Sequence, residues 1–176
     1  YAIAGFLSVI TFYFFVKQIL KILYKNSFNS PINLSINYIS LIATILFSFS
    51  GFNVAFSRTI QYQTFLTFFG ILGLYLFFKK RYLLSGIMYG LAFLSHYDAI
   101  FFTTPLLYLF LNNLLNYDIK NFFNNTIKPF VIFLIPFVFV VGSFYIPYFL
   151  NGYFDINSSN YLNRRILGDP STQKNY

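Results

Sequence analysis

The chain lacks cysteine, tryptophan and glutamate, and it has only one histidine among its 176 residues. Without cysteine, it can form no disulfide, thiolate metal site or cysteine nucleophile. Charged residues make up 9% of the chain, whereas a soluble domain carries about 25%. The sequence therefore excludes an ordinary soluble domain. The only acids available for chemistry are four aspartates: Asp98, Asp118, Asp155 and Asp169.

The residues that are abundant are apolar, since 57% of the chain is hydrophobic and 24% is aromatic. This composition predicts an all-α, polytopic membrane helix bundle embedded in a lipid bilayer, and the plasma membrane of a prokaryote is the expected location. The net charge of +8 does not indicate nucleic acid binding, because the basic residues cluster at the ends of hydrophobic segments. The expected partner of this chain is lipid.

About six transmembrane segments are predicted, together with a short hairpin at 82–111, an interfacial helix near 114–127 and a polar tail. Residues 1–150 form the predicted bundle, and residues 151–176 form an outer-face tail with a short juxtamembrane helix. Pro136 and Pro147 are expected to kink the last segment or to end it early. The predicted spans are 1–24, 36–56, 59–78, 82–95, 99–111 and 129–150.

The basic residues orient these segments by the positive-inside rule. With the Lys25 end in the cytoplasm, the cluster at 79–81 and the lysines at 120 and 128 also fall inside. The outer face then collects the polar residues of the turn at 96–98, an arginine at the head of a helix, and an arginine pair in the tail. These residues are His96, Asp98, Arg58, Arg164 and Arg165.

The tripeptide His96-Tyr97-Asp98 separates two uncharged apolar segments. Each segment is about 20 Å long as a helix, shorter than the roughly 30 Å bilayer core. Their turn is therefore expected below the membrane surface, where polar backbone lies inside protein or beside a water-filled cavity. Asp98 could belong to that site or cap the following helix, and Arg58 could bind phosphate or anchor at lipid headgroups. Upstream, Gly86 and Gly90 have the spacing that allows close helix packing.

Two stretches carry a resemblance to a known family. One is Ser57-Arg58-Thr59-Ile60-Gln61-Tyr62-Gln63 at the head of a helix, and the other runs from Leu84 to Asp98 through Gly86, Gly90-Leu91-Ala92 and His96. Together they resemble the GT-C superfamily of integral-membrane glycosyltransferases, in the branch of protein mannosyltransferases and aminoarabinose transferases. The resemblance is clearest from Phe47 to Tyr108. It implies a chain that lacks the first helix and first outer loop of that family.

The resemblance implies transfer of a sugar from a polyprenyl-phosphate donor to a lipid, glycan or protein acceptor at the outer face. The family's catalytic acid lies in the first outer loop, so it is expected upstream of Tyr1, and the catalytic residue in this chain is unknown. The chain alone is expected to be inactive. Gln63 stands where the family commonly has an aspartate; its amide can bind sugar hydroxyls but cannot act as a base.

Such chemistry needs cations or hydrogen-bond donors for the leaving phosphate and polar groups for the sugar. The phosphate-binding candidates are Arg58, His96, Arg165 and Arg164, with Arg165 preferred within its pair. The substrate-pocket candidates are Tyr97, Asp98, Gln61 and Gln63. No cofactor is certain, but His96 and Asp98 could together hold a divalent metal ion if a turn brings them to one side.

Other functions remain open. A secondary transporter or a flippase for lipid-linked oligosaccharides would also place broken helices and ionisable residues at mid-depth, although no second copy of the Arg58 or His96 region is present. A polysaccharide polymerase or ligase would be expected to have large outer loops rich in arginine and histidine.

Overall fold

The computed structural model describes residues 2–24, 30–51, 54, 62–116 and 119–150. For positions 30–34, 97, 116, 119, 120, 148 and 149 it describes the backbone alone. All regular secondary structure within these ranges is helical, which confirms the predicted all-α class.

The elements in the described ranges are α-helices with one 3₁₀ and one π segment. The α-helices are α1 (Ala2–Leu23), α2 (Ser30–Ser48), α3 (Gln63–Phe78), α4 (Tyr82–Ser95), α5 (Thr104–Asn116), α6 (Ile119–Phe122) and α7 (Lys128–Leu150). The 3₁₀ helix covers Tyr97–Thr103 and joins α4 to α5, and the π-helix covers Phe123–Ile127 and joins α6 to α7.

Within the described residues, three helical stretches are long and apolar enough to cross a membrane: Ala2–Leu23, Asp98–Leu115 and Phe123–Pro147. The other apolar helices are shorter, and α3 and α4, with 16 and 14 residues, belong to this group. At 1.5 Å per residue, α3 and α4 reach only about 20 to 24 Å. The predicted total of six spans therefore stays a prediction.

Helices α3 and α4 form a close antiparallel pair joined by the turn at 79–81. The Ser85 hydroxyl donates to the Gly73 carbonyl at 2.6 Å, and the Tyr89 ring comes within 3.4 Å of where a Cβ on Gly73 would lie. The main partner of α4 is α3 rather than α5, so the predicted hairpin at 82–111 stays a prediction. The small residues Gly73 and Ser85 explain this choice, since they let the two backbones approach closely.

Helix α7 contacts an adjoining face of α4 at its two glycines. A Cβ on Gly86 would collide with the Phe133 carbonyl, and a Cβ on Gly90 would lie 2.9 Å from the Val140 side chain. The predicted packing role of these glycines is confirmed. The expected early end of the last segment is wrong, because α7 continues through both of its internal prolines to Leu150. Neighbouring helices can re-satisfy the backbone that proline frees within a membrane.

The main core cluster fixes α5 and α7 against the α3–α4 pair. Its buried members are Leu74 and Phe77 of α3, Tyr89 of α4, Leu106 of α5 and Phe133 of α7. Aromatic rings meet edge to face in this cluster, with the Phe77 and Phe133 centroids 5.6 Å apart. Such aromatic pairs add stabilisation beyond the area they bury.

The predicted interfacial helix near 114–127 is divided between several elements. Residues 114–116 form the end of α5, whereas 119–122 form α6 and 123–127 form the π-helix that leads into α7. Residues 117 and 118 lie outside the described part. The apolar side chains of Leu115 and Phe123 in this stretch are exposed.

The chain divides into two compact units, Tyr1–Val140 and Val141–Tyr176. The second unit is described only over 141–150, where the Phe144 and Tyr145 rings meet edge to face. The predicted outer tail, 151–176, lies outside the described residues, and so does its predicted juxtamembrane helix. Both clefts discussed below belong to the first unit.

Candidate functional site

The site begins where α4 ends and the backbone turns at His96. His96 is extended, with φ −167° and ψ 148°, and its N–H still closes the last turn of α4 on the Ala92 carbonyl. Its Nδ1 accepts a hydrogen bond from the Asp98 N–H at 3.2 Å. His96 is therefore the N-cap of the 3₁₀ helix, and the alternative that Asp98 is a cap is wrong. The His96 ring precedes Asp98 by two residues and accepts the Asp98 N–H, which is one of the free backbone donors at the start of the 3₁₀ helix.

Asp98 lies in the first turn of the 3₁₀ helix, and its carboxylate returns to the same histidine. The distance from Asp98 Oδ2 to His96 Nδ1 is 2.9 Å. The histidine side chain is 10% exposed and the aspartate side chain 39%. The turn thus brings the two residues together, as the sequence required for a joint role.

A single ring nitrogen, His96 Nδ1, faces both a donor and an acceptor. When Nδ1 carries no proton, it accepts from the Asp98 N–H; when Nδ1 is protonated, it donates to the Asp98 carboxylate. The pair therefore has two alternative proton arrangements with little movement of heavy atoms. A site that relays a proton or orients a hydroxyl can use such a pair.

Two tyrosines that the sequence did not single out hold this turn. The Tyr62 ring stacks on the His96 ring, with centroids 4.2 Å apart and an interplanar angle of 13°. The buried Tyr89 hydroxyl donates to the Ala99 carbonyl at 2.7 Å and ties the 3₁₀ helix to α4. Tyr62 lies between Gln61 and Gln63, but nothing in the helical spacing links position 62 to position 96.

A cleft of about 620 Å³ opens beside this pair, between α1, α2, α3, the 3₁₀ helix and the start of α5. Its described polar lining consists of Gln63, Thr67 and Asp98. The remaining described lining residues are apolar and mainly aromatic: Phe12, Phe15, Phe47, Leu66, Ile71, Leu74, Phe101, Phe102 and Pro105. A mostly apolar concavity with few polar groups is typical of a ligand site.

Gln63 is the polar residue of this cleft whose hydrogen bonding is incomplete. Its Oε1 is buried and has no hydrogen-bond partner among the described residues. The neighbouring Thr67 hydroxyl is already used, because it donates to the Gln63 backbone carbonyl at 2.8 Å. A buried amide oxygen without a partner costs about 1 to 3 kcal/mol, and rotation of the Gln63 side chain toward the cleft would let a ligand hydroxyl group remove that cost.

The structure brings together three of the predicted site residues, Gln63, His96 and Asp98. Tyr97 follows His96 in the 3₁₀ helix, but only its backbone is described. The predicted phosphate-binding arginines and Gln61 lie outside the described residues, so their roles stay predictions. They are Arg58, Gln61, Arg164 and Arg165.

The predicted metal pair is present as two neighbouring groups, His96 and Asp98. Within the part of the chain that the structure describes, they are not joined by a third histidine, cysteine or acid. A divalent ion at this pair would take its other ligands from water, substrate or residues beyond the described ranges.

Comparisons with protein-family models, with curated proteins and with solved structures find no match to this chain. The class follows from the fold and the site: the described part of the chain is all-helical, has three helices able to cross a membrane, and carries a histidine–aspartate pair beside an aromatic cleft.

Proposed function

We propose that this protein takes part in transferring a sugar from a polyprenyl-phosphate donor to a lipid, glycan or protein acceptor at the outer face of a membrane. The observation that supports this proposal is the amphipathic cleft, which combines aromatic walls with Gln63 and Asp98. The resemblance of two sequence stretches to GT-C glycosyltransferases supplies the reaction class.

The apolar part of the cleft matches the lipid part of such a donor. The rings of Phe12 and Phe47 stack with centroids 4.3 Å apart, and both line the cleft. A prenyl chain is a flexible hydrocarbon, and it gains free energy from contact with rigid aromatic surface. The donor would lie with its chain between α1, α2 and α3.

The polar part of the cleft matches the sugar and phosphate. In the proposed reaction, the bond between the anomeric carbon and the phosphate oxygen breaks. The acceptor oxygen bonds to that carbon, its proton passes to a base, and polyprenyl phosphate leaves. Gln63 and Asp98 would bind sugar or acceptor hydroxyls, while His96 would donate to the phosphate when protonated. Arg58 and Arg165 would bind the phosphate as well, and no residue of this chain is assigned as the base.

The test is a transfer assay with the full-length protein in proteoliposomes, using polyprenyl-phosphate donors that carry radiolabelled sugars and a mixture of membrane acceptors. Asp98→Asn should lower transfer about tenfold or more, because an amide oxygen is a weaker hydrogen-bond acceptor than a carboxylate oxygen, both for His96 and for a bound hydroxyl group. Asp118→Asn removes the same charge elsewhere and should leave transfer unchanged.

Transport is the alternative that the same cleft allows, since a flippase also needs apolar walls and a polar end. If labelled donor crosses the bilayer with its sugar–phosphate bond intact, and no acceptor becomes labelled, the transfer proposal is wrong. A flippase for lipid-linked sugars would then replace it.

A further inference from the structure

A second cleft, of about 670 Å³, lies at the other end of the α3–α4 pair and takes no part in the proposed reaction. It is bounded by the end of α1, the turn at 79–81, α5, the π-helix and the start of α7. Its described polar lining includes two lysines and three asparagines, with Tyr82 beside them: Lys80, Lys128, Asn113, Asn124 and Asn125.

The charges of this cleft favour an anion. Lys80 and Lys128 are exposed and line the same cavity, none of its described lining residues is acidic, and no described acid lies within ion-pair distance of either lysine. Asparagine side chains beside the lysines add N–H donors. Two cations with neutral amide donors form a suitable environment for phosphate oxygens.

The other wall of the cleft is formed by apolar side chains. Ile22, Phe77 and Ile132 are among its lining residues. A free phosphate ion gains nothing from such a wall, whereas a phospholipid places its headgroup and its acyl chains on adjoining surfaces. The combination of lysines and hydrocarbon therefore favours a lipid over a soluble anion.

Lys80 holds a backbone conformation that lysine rarely adopts. Its φ is 61°, and it is the only non-glycine residue with positive φ in the described part of the chain. The Lys80 N–H donates to the Phe77 carbonyl at 2.8 Å, and the Arg81 N–H donates to the Leu76 carbonyl at 2.9 Å. These two bonds form a Schellman motif that ends α3, and its left-handed position is usually glycine.

The left-handed conformation disfavours lysine at position 80, so we expect the Lys80 side chain to make an interaction that compensates this cost. The neighbouring Lys79 points elsewhere, since its Nζ lies 5.8 Å from the centre of the Tyr75 ring, and Lys79 does not line the cleft. The left-handed residue is thus the one lysine of the turn that contributes to the cavity.

The π-helix completes the polar wall. A π segment inserts an extra residue into a helical turn, and here two successive residues, Asn124 and Asn125, both line the cleft. The segment is fixed from α5, because the Asn113 amide donates to the buried Thr126 hydroxyl at 2.9 Å.

We propose that this cleft binds the phosphate headgroup of an anionic membrane phospholipid, with an acyl chain against its apolar wall. The same residues fall on the predicted cytoplasmic side, where lysines attract anionic headgroups. The backbone conformation of Lys80 is unfavourable by itself, and lipid bound to its side chain would stabilise the turn at 79–81.

The test uses the full-length protein in detergent, titrated separately with phosphatidylglycerol, phosphatidylcholine and inorganic phosphate, with lipid retention measured by native mass spectrometry. Lys80→Asn keeps a residue that tolerates the left-handed conformation, and it should weaken phosphatidylglycerol binding about fivefold or more. Lys79→Asn is the matched control and should leave binding within about twofold, because its charge does not face the cleft. Lys128→Gln should weaken binding like Lys80→Asn.

Two results would overturn the proposal. Equal losses in Lys79→Asn and Lys80→Asn would show a general surface-charge effect and no built cleft. Binding of inorganic phosphate that competes fully with phosphatidylglycerol, without preference for the lipid, would make the cavity a site for a soluble anion. A higher melting temperature of Lys80→Asn without lipid, combined with the loss of lipid binding, would support the proposal most strongly.

Discussion

The α3–α4 pair ends in two clefts of similar volume and opposite chemistry. The cleft at the start of α3 has an aspartate, a glutamine and aromatic walls, and no basic residue is among its described lining. The cleft at the end of α3 has two lysines and three asparagines, and no acid is among its described lining. The two ends of the α3–α4 pair are thus suited to two different ligands.

The turns differ as much as the charges. At one end, His96 extends the chain and caps a 3₁₀ helix, which places Asp98 beside the cleft. At the other end, Lys80 occupies the left-handed position of a Schellman motif. Both turns contain an ionisable residue, but only Lys80 holds a backbone conformation that its residue type rarely adopts, since His96 is ordinary extended backbone. Substitutions can therefore distinguish residues that hold the helices together from residues that belong to one cleft only.

The largest effect is expected at Gly86, because the backbone of α7 packs directly against it. A Cβ there would meet the Phe133 backbone, so Gly86→Val should separate α4 from α7. The melting temperature should fall by about 10 °C or more, and both clefts should lose ligand binding. Gly51→Val is the control: nothing lies within 4 Å of its Cβ position, and its melting temperature should not change. An unchanged melting temperature of Gly86→Val would contradict the close approach of α4 and α7 at this glycine.

Gln63→Leu should affect only the Asp98 end, where its effects on thermal stability and on donor affinity should have opposite signs. Removing the buried amide oxygen without a partner should raise thermal stability, while donor affinity at the Asp98 cleft should fall about tenfold. Phosphatidylglycerol binding at the Lys80 cleft should not change. Gln18→Leu, at the other end of the bundle, is the matched control and should keep donor affinity, because Gln18 binds the Phe78 carbonyl. A loss of lipid binding in Gln63→Leu would mean that the clefts are not independent.

Tyr62→Leu should have the smallest effect. It removes the ring that stacks on His96 but keeps an apolar side chain, and such a stacked pair contributes about 1 kcal/mol. Transfer should fall by about threefold to fivefold with little change in stability. The exposed Tyr38 provides the control through Tyr38→Leu, which should be neutral. Equal transfer in the wild type and Tyr62→Leu would remove Tyr62 from the site.

The sequence predicted the helical class, the break at His96 and the packing of Gly86 because each depends on local composition or spacing. It placed Gln63 and Asp98 among the pocket residues, and the structure brings both into one cleft. It did not find Tyr62, whose ring meets His96 through tertiary packing alone. It also missed the pairing of α4 with α3, since an apolar hairpin around His96 has the same pattern whichever neighbour covers it.

The unusual turn at Lys80 was beyond sequence reasoning for another reason. A Schellman motif is normally predicted from glycine, and the sequence has Lys79-Lys80-Arg81 instead. A basic cluster at that place indicates membrane orientation, which accounts for the charges without any cleft. Only the backbone angle and the position of the π-helix distinguish Lys80 from its neighbours.

The most direct test of the account is photo-crosslinking of a polyprenyl-phosphate probe, with a diazirine on its prenyl chain, to the full-length protein in nanodiscs. We expect labelled peptides that contain Phe12, Phe47 or Phe101, with labelling competed by unlabelled polyprenyl-phosphate sugar and reduced in Gln63→Leu. Labelling confined to the Lys80 cleft, or unaffected by competitor, would contradict the assignment of the Asp98 cleft to a lipid-linked sugar.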